Sequence, residues 1–178
     1  MTGARRSARP VRITLAQSFG GDIDGAWWPH TASVAGELPE LIEALHRPLG
    51  EIIDIRVNWS ATEAAPHLDS MSDTAKSMPG WRDRHQRLMV IDGRRARATL
   101  LVVPYMTTPA LGLMVLRRAA ALPVSGAQQA GKAFHTAERV VRAAQAESAL
   151  WADRTLNAQA AESRTPQTLH NGHPSPVA

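Results

Sequence analysis

Asp22-Ile23-Asp24 stands directly ahead of Gly25-Ala26-Trp27-Trp28-Pro29-His30. Two carboxylates, two adjacent indoles and an imidazole this close together could line a ligand cleft. In it Asp22, Asp24 and His30 would do acid–base work or hold a cation, and Trp27 and Trp28 would stack on the ligand. The same residues also have a plainer reading. Short acids beside glycines are ordinary turn residues, and a paired indole between a glycine and a proline anchors a core, one ring inward and the other at the rim.

A second cluster suits nucleic acid. Trp81 is followed by Arg82, Arg84, Arg87, Arg94, Arg95 and Arg97, and arginines beside an aromatic ring are what single-strand binders use on phosphates and bases. The acidic half of the chain would repel the same phosphates, and no RNP-type aromatic pair is present, so any binding is expected to be weak and sequence-insensitive.

Other chemistry is poorly served. The chain has no cysteine and none of its seven histidines falls in an HExxH pattern, which sets the expectation of no metal site. There is no Gly-x-Ser-x-Gly elbow, and Gly20-Gly21 lacks the further glycines and lysine of a phosphate loop, so no catalytic residue and no cofactor are expected.

Charge is unevenly placed. Of 20 basic residues 18 are arginine, and residues 1–12 hold four of them with no acid, which accounts for the net charge of +4. From Asp22 to Asp73 there are ten acids against two arginines, and from Lys76 to Arg118 nine basic residues against two acids. Such polarity suits packing of the two segments on each other, self-association or an anionic partner.

The elements that must position these residues follow from periodicity. Val11 to Ala16 alternates like a strand. Thr31 to Leu49 repeats Val34, Leu38, Leu41, Ile42 and Leu45 at helical spacing, with Pro39 either delaying the start or kinking the helix. In Glu51 to Trp59 the side chains Ile53, Ile55, Val57 and Trp59 fall on one face, which is assigned to the core. A long loop covers 60 to 86, with one helical turn near Met71 to Lys76. Asp92-Gly93-Arg94-Arg95 turns an antiparallel hairpin, and Thr108-Pro109 opens a second helix to Leu122. These predict an α+β domain over 11–122, a small antiparallel sheet covered by two helices, after a flexible basic arm at 1–10.

Residues 128–162 read as a long alanine-rich helix whose sparse apolar side chains, Val140, Val141, Leu150 and Trp151, bury little. It is expected to project partly from the domain or to pair with another chain, a second copy or a protein partner, leaving a chain cut after Ser125 folded but monomeric. The tail from 163 to 178 is expected to be disordered. No apolar run reaches the length of a membrane span or follows the basic N-terminus as in a secretion signal, so a soluble, cytoplasmic protein is expected.

Gly25-Ala26-Trp27-Trp28-Pro29, then Glu37-Leu38-Pro39, Asn58-Trp59 with Pro66, and Leu100-Leu101-Val102-Val103-Pro104 resemble the landmarks of a family of small actinobacterial proteins of unknown function, over Val11 to Ala121. The resemblance implies a compact α+β domain in a soluble bacterial protein and brings no activity, cofactor or catalytic residue with it. His30 stands where family members carry a basic residue.

The expectation for function is therefore a non-enzymatic binding or regulatory module acting through self- or partner association. The rivals are an enzyme or small-molecule binder at the Trp27–Trp28 cleft, and a weak nucleic-acid binder at the arginine segment.

Overall fold

The structure, a computed structural model, describes residues 9–70 and 85–164. The expected helical turn at Met71 to Lys76, most of the basic arm and the tail beyond Arg164 lie outside the described residues. In chain order the elements are β1 (Ile13–Leu15), β2 (Gly25–Trp27), α1 (Val34–Leu49), β3 (Ile52–Val57), a 3-10 turn (Leu68–Ser70), β4 (Leu88–Gly93), β5 (Arg97–Val102), α2 (Pro109–Ala119), α3 (Gly126–Gln129) and α4 (Lys132–Ser163).

The α+β class is as expected, but the sheet is mixed rather than antiparallel. Its five strands run β1-β2-β5-β4-β3, and β2 pairs parallel with β5, Ala26 opposite Leu101. Strand β2 consists of the Gly-Ala-Trp segment, whose lack of polar alternation hid it. It is buried on both faces, a position that selects continuous apolar residues. Gly25 is required there: its φ is +153° and a Cβ would lie 2.2 Å from the Thr14 carbonyl oxygen.

Helices cover both sides of the sheet. On one side α1 contributes Leu41, Leu45 and Leu49, which meet Trp27, Met89, Ile91, Leu100 and Val102. On the other, α2 and the first half of α4 contribute Leu111, Val115, Ala137, Val140 and Ala144, which meet Trp28, Leu88, Leu101 and Val103. Residues of β4 and β5 alternate between the two cores, as a two-residue period requires.

Helix α1 starts at Val34, with the Ser33 hydroxyl accepting from the Gly36 amide, and runs on through Pro39. Its end is fixed by Gly50 at φ +79°. Helix α2 begins at Pro109 as expected, but its cap is remote. Thr108 caps nothing with its own side chain; the Asp69 carboxylate accepts from both the Thr108 amide and its hydroxyl.

Two expectations about packing are corrected. The face assigned to β3 holds only in part, since Ile53 is 65% and Val57 41% exposed. A β-bulge between Ile52 and Asp54 inserts one residue, so Ile52 joins Ile55 against the α1 core while Ile53 is turned out. Trp59 is half-buried at the rim of that core. The first half of the alanine-rich helix is part of the core rather than burying little: Ala137, Val140 and Ala144 are fully buried. Small side chains there let two helices approach closely, so alanine counts as core despite adding little apolar area.

Candidate functional site

The residues around the paired tryptophans diverge. Trp27 enters the α1 core and Trp28 the α2–α4 core, because adjacent residues of an extended chain point to opposite faces. Gly112 of α2 lies flat on the Trp28 ring, where a Cβ would be 2.6 Å away. The Arg12 guanidinium also stacks on this ring, 3.7 Å from the centroid, and donates to the Trp28 and Pro29 carbonyls. Burial pulls that guanidinium below its ordinary pKa.

Asp24 is buried, and both of its oxygens are occupied. Oδ1 accepts from the Gly20 and Gly21 amides at 2.8 and 2.9 Å, and Oδ2 from the Thr99 amide at 2.8 Å. This carboxylate ties the β1–β2 loop to β5, a use for which two backbone donors on one side and one on the other are well placed. Asp22 is exposed on the loop. The His30 amide donates to Glu37, and its Nε2 lies 2.9 Å from the Pro10 carbonyl oxygen. Burial alone would raise the Glu37 carboxyl, but donors from His30 and Thr31 hold it below the ordinary value. The structure thus does not bring Asp22, Asp24, Trp27, Trp28 and His30 around one cleft.

Of the arginine cluster, Trp81, Arg82 and Arg84 lie outside the described residues. Arg94 pairs with Glu51. Arg95 donates to the His46 and Arg47 carbonyls at the end of α1, serving the open carbonyls of a helix C-terminus. Arg97 and Arg56 both pair with Asp92, whose carboxyl burial would raise but these two donors hold low. Arg87 donates to the Glu63 carbonyl and lies over Trp59 at 5.2 Å. Among the described residues no group of three or more histidines, acids or cysteines could hold a metal ion.

The sequence marked Leu150 and Trp151 of α4 without dividing the helix, and the structure sets its second half apart. Beyond Glu147 the helix passes over the end of the sheet where Arg56, Val90, Arg97 and Thr99 face it, and a cleft of about 420 Å³ remains between them. A second cleft, about 630 Å³, opens beside it toward Trp59, Glu63 and His85. Trp151 and Thr155 line both. Glu147 ties this part to the domain through His85 Nδ1 at 3.2 Å, and within the helix it pairs with Arg154 at 3.0 Å. Leu150, on the outer side, is 58% exposed, and Leu156, at the edge of the first cleft, is 64% exposed. Both are large apolar side chains left in solvent on a helix whose first half is buried. The signal was present in the sequence as Leu150-Trp151 and Leu156, but periodicity merged it with the buried residues of the same helix.

Among the described residues no helix is long and apolar enough to cross a membrane. No curated protein and no solved structure matches the chain. A family model of unknown function matches residues 11–119, which reach from just before β1 to the end of α2. The chain belongs to that family, DUF5994, and carries its core together with a long helix beyond the matched segment.

Proposed function

We propose that the protein is a non-enzymatic binding module that works by association, with the second half of α4 as its contact surface and a second copy of the chain as its partner. The observation that carries this is the exposure of Leu150 and Leu156 on a helix whose first half is committed to the core. Burying what remains exposed of each leucine contributes about 1–2 kcal/mol, part of what a dimer needs against the cost of association. The separation of the two indoles into different cores argues against an enzyme or small-molecule site between Trp27 and Trp28. The intramolecular pairing of Arg94, Arg95 and Arg97 argues against a phosphate-binding role for those three.

Sedimentation of the full chain at tens of micromolar tests the proposal. A dimer is expected, and Leu150→Glu together with Leu156→Glu should convert it to a monomer with an unchanged melting temperature. A monomeric full chain, or a double variant that stays dimeric, overturns it.

A further inference from the structure

Strand β3 is the last in the sheet, and among the described residues no strand pairs with its outer side. The direction of its backbone groups is fixed by its partner. The Asn58 amide donates inward to Leu88, so along a regular strand the groups of Arg56 and Asp54 also face β4, while those of Val57 and Ile55 face out. The outer edge therefore offers free donors and acceptors at Ile55 and Val57, flanked by the exposed side chains of Ile53 and Val57. An unpaired, apolar edge is a template for another strand.

The side chains restrict what that strand can be. Asp54 and Arg56 stand two apart on one face, 3.2 Å from each other. If a second β3 lies antiparallel with Ile55 opposite its own copy, Ile55 exchanges both backbone hydrogen bonds across the two-fold axis. Asp54 then falls opposite the partner's Arg56, and Arg56 opposite the partner's Asp54, both at the closely spaced positions where side chains interact most strongly. Centring the pair on Asp54 or on Arg56 would instead set like charges against each other, which disfavours those registers.

We infer that β3 pairs with β3 of a second copy about a two-fold axis at Ile55, joining two five-stranded sheets into one of ten strands. The inference rests on the reading of the protein as an association module and names its partner and register. The two surfaces are contiguous, since Arg56 and Val57 line the same clefts as Trp151, Thr155 and Leu156. A two-fold axis perpendicular to the sheet keeps both α4 helices on the same face of the joined sheet, beside the axis.

The natural chain has no cysteine, so disulfide trapping has no background. Ile55→Cys places one new thiol on the two-fold axis, opposite its own copy in the partner. The facing Cα atoms would be about 5.5 Å apart, within disulfide reach. A chain with a single cysteine cannot bridge within itself. Mild oxidation of the full-length Ile55→Cys variant is expected to give a covalent dimer of twice the mass on a non-reducing gel, and Ile53→Cys, which the bulge turns to the other face, should stay monomeric there. Asp54→Arg, which sets one guanidinium against another across the axis in place of an ion pair, should weaken dimerisation about tenfold, the effect of about 1.4 kcal/mol.

A full chain that sediments as a dimer while Ile55→Cys fails to cross-link, or cross-links no better than Ile53→Cys, overturns the strand pairing and leaves association through α4 standing. Cross-linking that persists in a Leu150→Glu, Leu156→Glu background supports the strand pairing while removing α4 from the contact. A full chain that is monomeric at tens of micromolar overturns both.

Discussion

The two halves of α4 are both rich in alanine, and both carry large apolar side chains, Leu150, Trp151 and Leu156 in the second against Phe134, Val140 and Val141 in the first. Yet it is the first half that is buried. The difference lies under the helix. The first half lies over Leu88, Leu101, Val103 and α2, an apolar floor with no charge to keep wet. The second half overhangs Arg56, Arg97 and Thr99, where close packing would strip water from charges that are only partly paired. Burial is thus decided by the complement, and a helix read alone cannot say which part of it is core.

The largest effect that could break this comparison is truncation. A chain ending at Ser125 would bare Trp28, Leu88, Leu101, Leu111 and Val115 along one whole side of the sheet. It should lose its cooperative thermal transition, contrary to the independence expected from sequence. A chain ending at Ala146 keeps the buried half and should melt cooperatively. If the chain ending at Ser125 melts within a few degrees of the full protein, the first half of α4 is not part of the core.

Next in size is the contrast between the tryptophans. Trp28→Ala empties a site closed by Gly112 and Arg12 and should cost about 3–5 kcal/mol in denaturant unfolding. Trp59→Ala, at the half-buried rim beyond the β3 bulge, should cost about 1–2 kcal/mol. Equal losses would mean that the rim is packed as tightly as the core.

The smallest effect sharpens the contrast from the far side of the sheet. Because donors hold Glu37 and Asp92 below their ordinary pKa values, the folded state binds these protons less readily than the unfolded chain. The stability they contribute is complete above the ordinary carboxylate range of 3.8–4.5 and is lost as pH falls through the lower folded values. Glu37→Gln should flatten that acid-side decline and cost under about 1 kcal/mol at neutral pH, since solvent screens so exposed a group. An acid limb of the stability curve that is unchanged in the variant would remove Glu37 from it.

Much of the fold is legible because its signals are local. The 88–102 hairpin follows from its turn residues and the apolar runs beside it, α1 from a three- and four-residue repeat, and the start of α2 from Thr108-Pro109. Strand β2 escaped notice since Gly25-Ala26-Trp27 is too short and too uniformly apolar to show a period. The β3 bulge escaped because one inserted residue leaves composition unchanged while exchanging the faces. The candidate surface was half legible: Leu150, Trp151 and Leu156 mark the helix as adhesive, and nothing local tells the cleft-lining Trp151 and Leu156 from the outward Leu150.

By itself the sequence determined the class of fold, most of its elements, and the family whose core it shares. These depend on hydrophobic period, caps and turn residues, which act over a few positions. Only the tertiary structure decided that Trp27 and Trp28 serve opposite cores, that Asp24 spends both oxygens on backbone amides 75 residues and four residues away, and that α4 divides at Glu147. Each of these depends on which distant segment lies opposite, and that is set by the packing of the whole chain at once.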